Sequence, residues 1–570
     1  MSGRGWHPTL PPTEGQQILP RISRRPLLRG TLTVAAAVLV YLALIVPDAL
    51  GRTKAGTPIE GAFFRVPIEV IIGGAVLLAL SPRWRRPVAV LFGLGLGVVA
   101  VLKVFNFGFR QTLGRRFDIV LDPPLLRDGY NALTETDGRL YANLAVAGAV
   151  LLIVAVLVAC TLAVLRLTAV TARYTNPARR TLVGLTAVWL ALALSGVTLF
   201  PNSPVASDTA ADLLKNTVKS VPVALRDKRE FAAQTENDPY HGVPPAELVS
   251  GLAGKNVVIG VVESYGRTAL TNPAMTAIVN PVLDAGQKKL DAAGFAAKTG
   301  WLTSSTFGGG SWLAHASFQS GLWIDNQQRY RQLAASDRLT LTSTFHDAGW
   351  QTAGIEPGNT VAWPEASYYG YDTVYDSRNM GYKGTRYGWS RMPDQYTLDV
   401  FQKKVYGPRT KPVMAEITMT SSHEPWTAIP DMVDWDKIGD GSQFQANPLD
   451  RHELWDSAPN TRIQYAKSIG YSVDSLISWA TKYGGKDLVL VMFGDHQPIP
   501  LVSGGTNASH DVPVTIIAHD PAVLDRIADW HWADGLRPAA DTPIWRMDQF
   551  RDRFFTAFRS QGGVAMSAHR

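Results

Sequence analysis

The pattern of apolar and polar positions changes near residue 200. Before it, apolar residues come in long runs at 31–50, 66–81, 87–107, 144–167 and 181–200. An α-helix needs about 20 such residues to cross the hydrocarbon core of a bilayer. The pattern therefore predicts five transmembrane helices. The second run is the shortest and contains Glu69, which is expected near the membrane–water interface. No small-residue cleavage site ends the first run, so it reads as a span and not as a signal peptide.

Beyond residue 200 the runs shorten. Residues 201–252 read as a polar linker of helix and loop, ending at the Pro-Pro of HGVPPAE. NVVIGVVES (256–264), VMAEITM (413–419), LVLVMF (488–493) and VPVTIIA (512–518) are short, apolar and rich in β-branched residues. They read as buried strands. Helical patterns fall between them at 311–323, 339–348 and 461–483. This alternation predicts an α/β domain with a mostly parallel central sheet covered on both faces. In such sheets ligands bind beyond the carboxyl ends of the strands. WRMDQFRDRFFTAF (545–558) reads as an amphipathic helix packed on that domain. The expected divisions are a cytoplasmic arm (1–30), a membrane domain (31–200), a linker (201–252), an extracytoplasmic catalytic domain (253–530) and a C-terminal helix and tail (531–570).

Charge orients this plan. Arginines crowd the N-terminal arm (Arg21, Arg24, Arg25, Arg29), the RWRR loop after the second run, and the loop holding Arg166, Arg173, Arg179 and Arg180. The bias of basic residues toward the cytoplasm puts these three segments inside and everything after residue 200 outside. Loops 51–65 and 108–142 then also lie outside, although the second carries Arg110, Arg115 and Arg116. The net charge of +7 follows from these topology-setting residues, and no basic–aromatic pattern points to nucleic acid. The single cysteine, Cys160, lies in the fourth run. The outer domain therefore has no disulfide, no thiol nucleophile and no thiolate metal site.

Chemistry gathers where the strand runs end. The first ends in Glu263, VMAEITM leads to His423 in TSSHEPW, and LVLVMF leads to Asp495 and His496 in GDHQP. His510 and Asp511 precede the last run. Singly, each fits a solvated loop or a turn. Together, at the strand ends of one alternating domain, they make an oxygen–nitrogen metal set. Such a set suits Mn²⁺ or Zn²⁺, whereas Mg²⁺ prefers oxygen alone. His315 reads as a packed or hydrogen-bonded residue, and His346, His452 and His531 as ordinary ones. TFGGGSWLAH (306–315) sets three glycines before Ser311, where a helix begins. By itself this is either a serine-capped turn or a shaped loop presenting a hydroxyl. A helix N-terminus favours an incoming phosphate, and a bound metal activates a serine oxygen.

The order Glu263, Ser311, His423, Asp495-His496 resembles the alkaline-phosphatase/sulfatase superfamily. It is most similar to membrane phosphoglycerol transferases of the lipoteichoic acid synthase type, and also to phosphoethanolamine lipid A transferases. The resemblance implies an alkaline-phosphatase-like fold behind five spans. It implies metal ligation by Glu263, Asp495, His496 and the nucleophile, with Ser311 standing where the family has threonine. His423 then matches a substrate-binding histidine, and His510 an added histidine of zinc-using relatives. Trp363 fits a substrate-side tryptophan, but Glu365 stands near the place of a phosphate-gripping arginine, leaving Arg378 or Arg386 as substitutes. The Cys/Ser-x-Pro-x-Arg motif that sulfate-ester hydrolysis needs is absent, since Trp312, Leu313 and Ala314 follow Ser311.

The implied activity is a metal-dependent transferase, with Mn²⁺ expected and Zn²⁺ or Mg²⁺ as alternatives. It would move a phospholipid headgroup phosphate through phosphoserine to an envelope glycan or glycolipid. Tryptophans such as Trp301, Trp312, Trp323, Trp389 and Trp426 offer sugar-stacking surfaces. The alternatives are a phosphodiesterase or phosphatase with the same site, and a non-catalytic receptor or transporter module that keeps only the fold.

Overall fold

The computed structural model describes residues 24–50, 63–200, 203–386, 391–426, 429–445 and 457–560. The arm before residue 24, loop residues 51–62, Trp389, His452 and the tail after 560 lie outside the described residues. The chain forms two compact units. One collects the described residues up to 46, from 63 to 100 and from 154 to 208. The other collects 101–153 and the chain from 209 onward.

Among the described residues, four helices are long and apolar enough to cross a membrane: Leu28–Val46, Pro82–Leu113, Arg139–Arg173 and Thr175–Ser195. The run at 66–81 behaves differently. It forms a helix of only 12 residues, Ile68–Ala79, about 18 Å long against a hydrocarbon core of about 30 Å. Pro67 just before it and Pro82 just after it confine it; the backbone before a proline avoids the helical region, which stops the helix at the C-terminal end. Within the first unit the helices approach closely where small residues allow it. A Cβ on Gly93 would lie 2.4 Å from the Thr161 Cα, the kind of contact that packs apolar helices without a hydrophobic driving force.

The second unit is an α/β domain around a nine-stranded sheet. Its strands are β1 (Asn256–Val262), β2 (Ala296–Thr303), β3 (Gln351–Glu356), β4 (Thr373–Asp376), β5 (Val413–Met419), β6 (Leu488–Gly494), β7 (Asp511–Ala518), β8 (Ala533–Asp534) and β9 (Ile544–Arg546). The spatial order is 8-2-7-6-1-5-3-4, with β9 beside β2. The run 6-1-5-3-4 is parallel throughout. β7 is antiparallel to both β6 and β2, so the sheet is mixed.

Every position of β1, β5, β6 and β7 is buried. Helices cover both faces, so both side-chain directions must be apolar. Val258 and Val262 join one core with residues of helices Pro273–Ala292 and Ala458–Tyr483. Val257, Ile259 and Val261 face the other way, with Ala314 and Phe318 of helix Ser311–Ser320 and with Phe550, Phe554, Phe555 and Phe558 near the C-terminus. Each such fully buried side chain contributes about 1.5–3 kcal/mol. The C-terminal aromatic helix, Phe550–Phe558, thus packs into this core.

Candidate active site

β1 and β6 run side by side in parallel, with Val262 opposite Gly494. Glu263 and Asp495 therefore emerge together at their carboxyl ends. Ser264 adopts φ +59°, rare for a residue with a side chain. Its N–H donates to Asp495 Oδ1 at 2.7 Å, and the His496 N–H donates to the same oxygen at 2.7 Å. Strain at Ser264 is thus coupled to a fixed carboxylate. Asp495 Oδ2 is buried and has no hydrogen-bond partner.

The His496 ring is oriented by its own backbone. Nδ1 lies 2.8 Å from the Gln497 carbonyl oxygen, which can only accept, so Nδ1 carries a proton and Nε2 is the nitrogen turned toward the carboxylates. Nε2 lies 3.2 Å from Glu263 Oε1 and 3.6 Å from Asp495 Oδ2.

Ser311 arrives from the glycine loop. Phe307 bridges to Gln497, and the Gly308 N–H donates to the Gln497 carbonyl at 2.9 Å. The loop is thus tied to the turn that carries Asp495 and His496. Gly308, Gly309 and Gly310 all have positive φ, at +69°, +150° and +80°. A Cβ on Gly308 would also collide with the Thr112 carbonyl at 1.9 Å. Gly310 caps helix Ser311–Ser320, and Ser311 Oγ donates to Glu263 Oε1 at 2.9 Å, 3.3 Å from His496 Nε2. Gly310→Ala is expected to cost about 1–2 kcal/mol, the penalty for a side chain in left-handed backbone. Thermal unfolding measures this effect.

His423 follows β5 and a tight turn, Thr420–Ser422. Buried Asp394 holds that turn, accepting from the Ser421 N–H at 2.9 Å and the Ser472 hydroxyl at 2.5 Å. Burial raises the Asp394 carboxyl to about 6. His423 Nδ1 hydrogen-bonds the Glu424 carbonyl. Burial lowers the His423 pKa, and its charged form is felt by Glu263.

Electrostatics splits the two carboxylates. Burial would raise Glu263, but the His496 hydrogen bond and the charges of His423 and His496 hold it far below the usual range. Burial and the charge of Glu263 push Asp495 up to about 7. Burial would lower His496, but Asp495 and Glu263 raise it to about 9. Glu263, Asp495 and His496 offer ligand atoms all within 4.8 Å of one another. A buried carboxylate oxygen without a partner costs at least about 1–3 kcal/mol. A divalent cation would satisfy Asp495 Oδ2, and a two-oxygen, one-nitrogen set with a serine oxygen beside it fits Mn²⁺ or Zn²⁺.

The other candidates lie elsewhere. The His510 ring packs on Phe307 at 5.0 Å, beside the glycine loop and outside the three-residue set. Trp363 donates to the Tyr330 hydroxyl at 3.2 Å and packs on Tyr369 and Tyr371. Arg378 forks onto Asp376, at the carboxyl end of β4, with Nη2 to Oδ2 at 2.6 Å. Arg386 is exposed.

Sequence reasoning missed a buried polar stripe. Ser311, His315 and Gln319 stand four residues apart on one helix face and all point at the sheet. His315 Nδ1 lies 3.1 Å from Glu416 Oε1, and Gln319 Nε2 hydrogen-bonds Glu416 Oε2. The Tyr371 hydroxyl donates to the same Oε2 at 2.8 Å. Burial would lower His315, but Glu416 and Asp495 raise it to about 9. Glu356, at the end of β3, is pushed up to about 7 by burial and accepts from Thr418 Oγ1 at 3.0 Å. The signal was present as a Ser-x₃-His-x₃-Gln spacing and a lone glutamate inside VMAEITM.

Known proteins give this geometry a context. The sulfatase family model matches residues 255–513. No curated protein matches the chain. Solved structures that resemble it include the lipoteichoic acid synthase LtaP from Listeria monocytogenes, at 15% identity and TM-score 0.37, covering 55% of this chain and 75% of that one. The lipooligosaccharide phosphoethanolamine transferase EptA from Neisseria meningitidis matches at 13% identity and TM-score 0.41, covering 91% of this chain and 94% of that one. The phosphonate monoester hydrolase SpPMH from Silicibacter pomeroyi matches at 12% identity and TM-score 0.30, covering 53% and 73%. The segment that matches the sulfatase family model, residues 255–513, carries Glu263, Ser311, His423, Asp495 and His496.

Proposed function

We propose that this chain is a membrane-bound phosphotransferase that moves a phosphoglycerol-like lipid headgroup to an envelope glycan or glycolipid. The observation that carries the reading is Ser311 Oγ, 2.9 Å from Glu263 Oε1 and 3.3 Å from His496 Nε2, at the start of a helix. The apolar helices favour a lipid donor. In this reading the run at 66–81 completes five passes, the N-terminus is cytoplasmic and the sulfatase-family domain is extracytoplasmic.

A divalent cation held by Glu263, Asp495, His496 and Ser311, with manganese expected, would stabilise charge on the phosphoryl oxygens and favour the serine alkoxide. Ser311 Oγ gives its proton to neutral His423 and attacks phosphorus. The new O–P bond forms as the P–O bond to diacylglycerol breaks. His423 hands that proton to the departing glyceride oxygen. The helix N-terminus receives the phosphate charge. In the second half His423 takes the proton of an acceptor hydroxyl, which attacks phosphoserine, and Ser311 Oγ leaves and is reprotonated. Trp363, His510 and Arg386 are candidates for headgroup contacts, while Arg378 would have to leave Asp376 to reach a phosphate.

The test incubates the full chain in detergent with Mn²⁺ and headgroup-labelled phosphatidylglycerol, then weighs the Ser311 peptide. A glycerophosphate mass on Ser311 with release of diacylglycerol is expected. An unmodified Ser311 and intact lipid in the metal-loaded protein would overturn the reading. Label released to water with no dependence on added glycan would favour the hydrolase instead.

A further inference from the structure

We propose that helix Thr209–Glu236 lies on the surface of the bilayer that the apolar helices cross, with one face bedded among anionic phospholipids. This seat for the outer domain does not depend on the transferase reading.

The helix has two faces that differ in kind. Ala210, Ala224, Phe231 and Thr235 are buried. Phe231 packs in one core with Leu313 and Ala316, on the helix that begins at Ser311. Arg329 forks onto Asp227, with Nε to Oδ2 at 3.0 Å. That face is fixed to the domain.

The other face carries no such cover. Leu214, Val218, Val221 and Leu225 follow one another at helical spacing, which stacks them in one stripe along the helix. They are 55%, 64%, 41% and 55% exposed. Polar residues ordinarily fill the outward face of a surface helix, so an aliphatic row there calls for an apolar partner. Lys215, Lys219 and Arg226, all exposed, run along one edge of the stripe. An apolar stripe edged with lysine and arginine suits a bilayer interface. Its aliphatic side chains enter the acyl boundary and its cations meet anionic headgroups.

The path of the chain supports the same seat. Residues 196–208 alone separate this helix from the apolar helix Thr175–Ser195. Its first residue, Thr209, accepts at Oγ1 from Lys103 Nζ at 3.1 Å, and Lys103 belongs to the apolar helix Pro82–Leu113. The helix therefore starts against a membrane-crossing segment and ends on the helix that carries Ser311. Bedding it in the interface sets the height of Ser311 above the lipid.

The test uses the full chain with Cys160→Ala and one added substitution: Val218→Cys, Leu225→Cys or Val223→Cys. Each protein is spin-labelled and placed in nanodiscs of phosphatidylcholine and phosphatidylserine, an anionic lipid that is not the proposed donor. Labels at 218 and 225 should meet oxygen more readily than a water-soluble nickel complex. The label at 223, on the opposite side of the helix, should do the reverse. Nickel access at 218 and 225 overturns the proposal. Dipolar broadening between labels of two copies overturns it in favour of self-association. Hydrogen exchange on wild type keeps the test independent of the variants. Amides of residues 211–226 should exchange at least about 10-fold more slowly with phosphatidylserine than in phosphatidylcholine alone. Equal exchange in the two overturns the anionic surface.

Discussion

Ser311→Ala is expected to reduce headgroup transfer by at least about 10³-fold while leaving the fold in place, with Glu263, Asp495 and His496 still able to hold a cation. Ser311 is the first residue of its helix and is not the cap; Gly310 is. Alanine suits a helix start, so no cap is lost. The hydroxyl contributes a hydrogen bond to Glu263 Oε1, which His496 Nε2 also approaches at 3.2 Å. The stability change should stay near about 1 kcal/mol. No other side chain replaces the attacking atom, so phosphoserine should vanish with turnover. Lipid turnover, the mass of the 311 peptide, thermal unfolding and metal content measure these effects together. Near-normal transfer by a folded, metal-loaded Ser311→Ala protein would sink the nucleophile assignment.

Asp495→Asn should be as severe, by a different route. Asp495 Oδ1 accepts from Ser264 and His496 N–H groups, and an asparagine oxygen keeps both bonds. The fold should therefore survive. The change falls on Oδ2, the buried oxygen without a partner. An amide nitrogen there presents hydrogens where a cation needs a lone pair. Metal content should drop to background and transfer with it. A ligand that binds only the folded state stabilises it by about 2.7 kcal/mol at 100 times its Kd. A chelator should therefore lower the melting temperature of wild type and leave Asp495→Asn unmoved. Equal metal content in the two proteins, or equal response to chelator, would contradict the ligand role.

Local pattern carried much of the fold. Four buried strands and the helix after the glycines lie close to where their runs placed them, for example Val413–Met419 and Ser311–Ser320. Burial is written residue by residue, so a continuous apolar run records that both faces of a strand are covered. It does not record direction. VPVTIIA looks like its neighbours but runs antiparallel to β6, because pairing depends on how the chain returns and not on the run itself. Less apolar strands such as β3 and β4 left no clear run, being only partly buried. The run at 66–81 was legible as apolar, yet flanking prolines limit its helix to 12 residues.

The chain's own letters determined an apolar first half, an α/β second half and acidic and histidine residues after particular strands, because each is a local property. The tertiary structure decided which of them meet. Parallel pairing of β1 and β6 brings Glu263 to Asp495, and the tie from Gly308 to Gln497 delivers Ser311 to Glu263 and His496. It also showed Arg378 engaged by Asp376, and His315 facing Asp495 from a helix nearly two hundred residues away in sequence. Contacts of that range depend on the path of the whole chain, and no local spacing encodes them.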